Sequence, residues 1–274
     1  MTIEPFSTND IAPFLKLAAA ENWVAEPWEF EFLLSRFPQG CLAARADNGT
    51  TAGFVTSLRH ERSGWIGNLI VSPEYRGQGI GERLFSTALE ALRSAGVETF
   101  WLTASEKGKS LYEKYGFSSI DTIVRWVGTG SQRHSPPDHQ SEWNTSDSPV
   151  SGIDSRAWGD RRDALLAATV GRGRLLFDES GFAVIQSCGS ARQIGPFSAV
   201  EVGRAEHIFE TALRTVPIGT RIYLDAPASN RAALGLFNRK RLRIAGTNEL
   251  MFAGTKPGYR PEYVYGLATM GSCG

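Results

Sequence analysis

Residues 68–84, NLIVSPEYRGQGIGERL, decide how the rest of the chain is read. Asn68–Val71 is a short apolar run of the kind that forms a buried strand. Ser72-Pro73 ends it, and Arg76-Gly77-Gln78-Gly79-Ile80-Gly81 opens directly into an amphipathic helix. A helix start has unpaired N–H groups and about half a positive charge. Glycines let the backbone turn through positive φ and approach a ligand closely. The strand, loop and helix therefore predict a cradle for a pyrophosphate. Two common phosphate loops are excluded. After Gly77 and Gly79 a dinucleotide fingerprint needs glycine at 82, where Glu82 stands, and no Lys-Ser/Thr follows as a Walker loop requires. The spacing present is Arg76-x-x-Gly79-x-Gly81.

Working outward, Ile80–Ser94 reads as a helix with Leu84, Phe85, Ala88, Leu89 and Leu92 on one face and Gly96 at its end. Upstream, Asn9–Trp23 and Trp28–Phe37 read as helices. Cys41–Ala46 and Thr51–Leu58 flank Asn48-Gly49 as a hairpin, and Trp65–Val71 is the next strand. Downstream come a strand at Phe100–Thr103, a short helix at Lys109–Tyr115 and a strand at Ser119–Val127. The order is β-α-α-β-β-β-α-β-α-β. The second half repeats the end of this pattern. LFSTALEAL at Leu84–Leu92 matches IFETALRTV at Ile208–Val216, and FWLTAS at Phe100–Ser105 matches IYLDAP at Ile222–Pro227. The polar, Ser/Pro-rich residues 129–150 divide the two as a linker. The chain is expected to be an α/β (α+β) protein with two similar domains, 1–128 and 151–274. Each should carry a central mixed, mostly antiparallel sheet flanked by helices.

Composition narrows the function. The 274 residues carry 29 basic and 29 acidic side chains, which argues against a nucleic-acid partner. No apolar run reaches the roughly 20 residues of a membrane helix, and the N-terminus lacks a signal-peptide pattern, so no membrane partner and a cytoplasmic location are expected. Three scattered cysteines and four dispersed histidines predict neither disulfide nor metal site.

The Arg76–Gly81 loop between a strand and a long helix resembles the signature of the GNAT family of acetyl-CoA-dependent N-acetyltransferases. A second segment, Leu111-Tyr112-Glu113-Lys114-Tyr115-Gly116-Phe117, is similar to that family's LYxxxGF stretch. The resemblance covers 1–128 closely and 151–274 loosely, as a degenerate tandem copy. It implies that Leu69, Ile70 and Val71 pair with the pantetheine arm of acetyl-CoA, and that an N–H near Leu69 stabilises the oxyanion formed when an amine attacks the thioester. The pyrophosphate would sit on Gly77, Gln78, Gly79, Ile80, Gly81 and Glu82, with Arg76 adding charge or bracing the loop. Tyr112 matches the acid that protonates the leaving thiolate. Ser105 and Lys109 stand where members contact the cofactor. The strand 65–71 has no carboxylate for a general base; His60 and Glu61 precede it in a turn. Trp23, Glu26 and Trp28, in the segment joining the first two helices, would face the acceptor, and they suit a cationic amine.

Aligning the repeats puts Val200 opposite Arg76, Gly203 opposite Gly79, Ala205 opposite Gly81 and Phe237 opposite Tyr112, so the second half is expected to be inactive. It would complete the acceptor cleft, cover the first domain or make a dimer interface. Arg239-Lys240-Arg241 and Arg243 read as a solvated helix end. The function implied is acetylation of a small-molecule amine by a monomer or homodimer. The alternatives are a protein lysine or N-terminal acetyltransferase, marked by an open groove, and a non-catalytic acyl-CoA sensor.

Overall fold

The structure, a computed structural model, describes residues 1–131 and 148–274. The first half runs β1 (Thr2–Pro5), α1 (Ile11–Ala20), α2 (Pro27–Arg36), β2 (Leu42–Arg45), β3 (Thr51–Arg59), β4 (Ser63–Val71), α3 (Ile80–Ser94), β5 (Thr99–Ala104), α4 (Glu106–Glu113) and β6 (Ser118–Thr129). The second runs α5 (Pro149–Trp158), α6 (Asp163–Val170), β7 (Arg174–Phe177), β8 (Gly181–Cys188), β9 (Ala191–Ala199), α7 (Val202–Thr215), β10 (Arg221–Pro227), α8 (Arg231–Arg239), β11 (Arg243–Gly254) and β12 (Val264–Gly266). From α1 to β6 and from α5 to β11 the order of helices and strands is the same. The duplication read in two short matches therefore extends along both halves.

Several boundaries move for local reasons. The first helix begins at Ile11 rather than Asn9 because Thr8–Asp10 forms a 3₁₀ turn, where Ser7 N–H donates to Asp10 Oδ2 (2.9 Å). It ends at Ala20, before Trp23, and Asn22 just beyond it takes φ 59°. The short helix expected at Lys109–Tyr115 starts at Glu106, just after Ser105 in extended geometry. Of the linker 129–150, Thr129 belongs to β6 and residues 149–150 to α5, while 132–147 lie outside the described residues.

The sheet departs most from expectation. Instead of one sheet per half, eleven strands follow one path, β1-β2-β3-β4-β5-β11-β6-β10-β9-β8-β7, and β12 pairs with β9. The last strand of each half is the cause. β11 lies between β5 and β6, and β6 lies between β11 and β10, so each half lends its final strand to the other. Pairing is mostly antiparallel, as expected. The parallel strand pairs are β4 with β5 and β9 with β10, at matching places in the two halves.

Helices cover both faces. In the first half, the apolar face of α3 packs with Ala52, Val55, Ile66, Leu102 and Met251. On the opposite face, Phe14 of α1 and Phe30 and Leu33 of α2 pack on Ala43, Phe54 and Ile70, together with Leu165 of α6 and Ala268 and Cys273 of the C-terminal segment. The two halves thus share a core on the α1/α2 side. Each buried Phe or Leu contributes about 1.5–3 kcal/mol through removal of apolar surface from water.

Candidate active site

The parallel pairing of β4 with β5 is short. Ser63, Gly64 and Trp65 align with Thr99, Phe100 and Trp101, and pairing stops there. Beyond it, β4 continues to Val71 beside β3, and β5 continues to Ala104 beside β11. The strands diverge into a slot with unpaired backbone on both edges. An irregularity sharpens the divergence. The register between β3 and β4 shifts between the pairs Phe54–Ile70 and Thr56–Gly67, and Asn68 takes φ 56°. Asn68 Nδ2 donates to Thr56 Oγ1 (2.9 Å), which holds this bend.

The slot leads to the glycine loop. Gly77 (φ 75°) and Gly79 (φ 74°) both take left-handed backbone. No side chain caps α3. Arg83 N–H bonds Gly79 O (3.1 Å), which leaves the amides of Gly77, Gln78, Gly79, Ile80, Gly81 and Glu82 ahead of it. A Cβ on Gly81 would meet only Val71 Cγ2, at 3.5 Å. The Glu82 side chain turns aside, toward Lys114 (3.7 Å). Arg76 braces the loop: its Nε donates to Val71 O (2.9 Å) and its Nη2 to Glu21 Oε1 (2.6 Å) at the end of α1.

A cavity of about 170 Å³ lies in the slot. Ile66, Gly67, Asn68 and Leu69 line one edge, and Thr103 and Ser105 the other. Ile70 is buried in the α1/α2 core and Val71 packs toward α3, so of the three residues expected to flank the pantetheine, Leu69 reaches the cavity. Tyr112 of α4 enters from the α3 side, packed on Phe85 (ring centroids 4.9 Å apart). Burial pushes its phenol up to about 12, so it stays protonated near neutrality. Lys109 lies away from the cavity and pairs with Glu249 of β11 (3.9 Å).

The acceptor side differs from the sequence reading. Trp23 lines the cavity and is 43% exposed. Glu26 and Trp28 do not line it. Glu26 sits at the start of α2 and accepts a hydrogen bond from Gly189 N–H of the second half. Trp28 turns to Phe32 and lies under the Arg172 guanidinium. Glu29, one residue on, is the side chain that turns inward, because 100° per residue puts it on a different face of α2 from Trp28. Glu29 is buried, 6% exposed. Burial pushes its carboxyl up to about 7; hydrogen bonds from the Ser272 hydroxyl and the Glu26 N–H pull it down, and the Glu26 charge pushes it up. The other proposed bases are elsewhere. His60 and Glu61 lie in the turn before β4, at the end remote from the glycine loop, and face a separate cavity with Arg36 and Arg162. Burial, with the nearby Arg162 charge, pushes His60 down to about 3.

The second half supplies the remaining wall. Asn248 of β11 and Met270, Gly271 and Ser272 line the cavity, beside Arg125 of β6. Arg125 forms a two-pronged pair with Asp225 of β10 (2.8 and 2.6 Å) and donates to Met270 O (3.3 Å). The sequence offered no sign of these residues, which are brought together by the shared sheet. Glu29 was within reach of a helical-phase argument. Among the described residues no group of three or more His, Cys, Asp or Glu side chains could hold a metal, and no helix is long and apolar enough to cross a membrane.

In the second half the corresponding groups are altered. Glu201, in extended geometry, precedes α7 and takes a hydrogen bond from Ser180 Oγ (3.1 Å). Phe237 is wholly buried in the core. Arg239 pairs with Glu206 (3.2 Å) and Lys240 with Glu206 and Glu210, so those two cations of the basic cluster are neutralised on α7.

Comparison with known proteins places both halves. Residues 10–117 match the model of the acetyltransferase (GNAT) family, and residues 150–266 that of an acetyltransferase (GNAT) domain. Holothin acyltransferase of Pseudoalteromonas sp. is 25% identical over 98% of this chain and 93% of its own length. Mycothiol acetyltransferase of Propionibacterium freudenreichii is 32% identical over 129 residues, 44% of this chain and 39% of that protein. A Pyrococcus horikoshii structure classed as an acetyltransferase superposes with TM-score 0.83 at 26% identity, covering 100% of this chain and 95% of that one. A GCN5-related N-acetyltransferase of Sphaerobacter thermophilus shares the fold (TM-score 0.60, 17% identity, 98% of each chain).

Proposed function

The chain belongs to the GNAT acetyltransferase family, with a domain of that family in each half, and on this premise we propose that it transfers acetyl from acetyl-CoA to the amine of a small molecule bound between β4 and β5. One observation carries the reading. A single cavity is lined at once by the free edge of β4, a protonated Tyr112 and a buried Glu29 with a carboxyl near 7. The slot that holds it runs to an uncapped helix start suited to a pyrophosphate.

Each group has a step. Glu29 takes the proton from the acceptor ammonium, which frees the nitrogen lone pair; a carboxylate near 7 is matched to that task at neutral pH. Nitrogen forms its bond to the acetyl carbonyl carbon, and the backbone N–H near Leu69 stabilises the oxyanion. The C–S bond then breaks, the Tyr112 hydroxyl gives its proton to the departing sulfur, and the nitrogen, cationic after the attack, gives up its extra proton, which restores the phenol. The products are an amide and free CoA thiol. Met270, Gly271 and Ser272 close the acceptor side, which favours a compact amine over an extended peptide.

The test is thiol release from acetyl-CoA with a panel of polyamines, aminoglycosides, amino acids, arylamines and short peptides, with Tyr112→Phe in parallel. Turnover of one small amine class, strongly reduced in the variant, is the expected result. Preference for peptides would move the reading to a protein acetyltransferase. CoA binding without turnover would leave an acyl-CoA sensor.

A further inference from the structure

The second half has its own parallel pair and its own divergence. β9 and β10 align at Arg192–Ile222 and Gln193–Tyr223 and then separate. Here the gap is filled by the chain itself. β12 pairs antiparallel with β9, Val264 against Ser198 and Gly266 against Phe197. On the other edge, Leu267 N–H donates to Asp225 O of β10 (2.9 Å). Asn230 Nδ2, at the start of α8, fastens the strand by donating to Val264 O (2.8 Å) and Glu262 O (3.3 Å). Two buried glutamines secure the next residues: Gln193 Nε2 donates to Leu267 O (3.2 Å) and Gln186 Nε2 to Ala268 O (2.9 Å). The fit is close, since a Cβ on Gly195 would lie 1.9 Å from Leu267 O.

From this anchor the segment crosses to the first slot. Trp65 Nε1 donates to Gly271 O (3.2 Å), at the point where β4 and β5 part. A Cβ on Gly67 would lie 2.5 Å from Ser272 O, so glycine is what lets the segment rest on β4. Ser272 donates to Glu29, and Cys273 N–H donates to Thr269 Oγ1 (2.9 Å), closing the turn.

We propose that residues 264–274 are the acceptor-specificity element of the enzyme: β12 fills the slot of the second half that matches the cofactor slot of the first, and so fixes Met270–Ser272 as the acceptor wall of the working site. This rests on the reading of the first slot as the acetyl-transfer site. Two consequences separate it from a merely structural tail. The chain binds one acyl-CoA, because the second slot is filled by backbone. Loosening β12, which does not itself line the cavity, changes acceptor recognition and spares cofactor recognition.

The experiment compares wild type with Asn230→Ser and Met270→Ala. Serine keeps an oxygen for capping α8 but cannot reach the Val264 and Glu262 carbonyls. Met270→Ala alters the wall, losing with it the contact of Cys188 Sγ on Met270 Sδ (3.5 Å), and leaves the β12 anchor in place. The acceptor is the amine that wild type turns over best in the panel above. In both variants the KM for that amine is expected to rise about tenfold, or the order of preferred amines to change, while the KM for acetyl-CoA stays within about twofold. Calorimetric titration of wild type with CoA should give one site per chain. Modification of the buried Cys273 thiol should accelerate in Asn230→Ser while the buried Cys41 stays protected, which marks release of the segment rather than general loosening. Unchanged acceptor KM in both variants, parallel rises in both KM values, equal exposure of Cys41 and Cys273, or two CoA sites would each overturn the proposal. Absence of turnover by wild type on every amine would instead overturn the acetyl-transfer reading beneath it.

Discussion

The β4/β5 slot and the β9/β10 slot are built on the same plan and end in opposite states. Both follow a short parallel pairing, both are flanked by a long helix behind the first strand, and both have a short helix after the second. In the first, Gly79 in left-handed backbone leaves the start of α3 uncapped, Tyr112 enters the cavity, and the gap is free. In the second, Glu201 precedes α7 with its carboxylate on Ser180 Oγ, Phe237 replaces the phenol, and β12 fills the gap. On the acetyl-transfer reading proposed above, the duplicated backbone does not carry chemistry by itself, and function rests on a few side chains and on whether the slot is left open.

The largest effect expected from breaking this difference is at the phenol. Tyr112→Phe should lower kcat by about 10²–10⁴, the usual worth of a positioned proton donor, with little change in the KM for acetyl-CoA. The reciprocal Phe237→Tyr should confer no second activity, because the slot beside it holds β12. Thiol-release kinetics on the two variants, and on Tyr112→Phe combined with Phe237→Tyr, check both halves of the statement. Recovery of turnover in the combined variant would show that the second slot can open.

Glu29 should give the next largest effect. The groups around it are Glu26 on the same helix, the Ser272 hydroxyl, and the thiols of Cys273 and Cys188, both held up by burial and so neutral. As base, Glu29 must be deprotonated, so kcat/KM should fall as pH drops through about 7. Glu29→Gln should remove this acid limb together with most of the rate. Ser272→Ala, by removing a donor to the carboxylate, should move the limb to higher pH. Stability should go the other way. The folded state holds the Glu29 proton more tightly than the unfolded chain does, so stability is fully present below 4.5 and is lost as pH rises through about 7. At pH 8 Glu29→Gln should therefore be more stable, by about 1–3 kcal/mol, in thermal or urea unfolding.

What the sequence disclosed follows from the range of the interactions involved. The Arg76–Gly81 loop and α3 were legible because strand end, glycines and apolar stripe are contiguous; the helix runs Ile80–Ser94 as read. The hairpin at Asn48-Gly49 was legible for the same reason. The acceptor wall was not. Arg125 and Asn248 reach this site because β6 and β11 exchange places across the sheet, and Ser272 reaches Glu29 because the segment after β12 crosses to β4, long-range arrangements that no local pattern encodes. Within α2, Trp28 drew notice for its chemistry, whereas helical phase selects Glu29.

A smaller effect should come from the two helix starts. Gly79→Ala forces a side chain into left-handed backbone (φ 74°), a strain of about 1–2 kcal/mol per residue, and should raise the KM for acetyl-CoA by about fivefold to thirtyfold as the loop relaxes away from the pyrophosphate. Gly203→Ala, with no neighbour within 4 Å of the new Cβ and outside the positive-φ set, should leave it unchanged. Equal effects at both positions would mean that α7 also binds the cofactor.

The smallest expected effect concerns Arg76, the one residue of the loop whose charge has no equivalent at Val200. Its guanidinium is already committed to Val71 O and Glu21, and the pair is half exposed. Such pairs are worth about 0.2–1 kcal/mol, so Arg76→Ala should raise the KM for acetyl-CoA by no more than about fivefold. Glu21→Gln decides what that change means. If Arg76 acts by bracing, breaking the brace from either end has the same consequence, and the two variants match. If the guanidinium lends charge to the pyrophosphate instead, freeing it from Glu21 should tighten acetyl-CoA binding while Arg76→Ala weakens it, and the difference should shrink as salt is raised. The geometry supports the first outcome, because Nε and Nη2 of Arg76 are both hydrogen-bonded to protein.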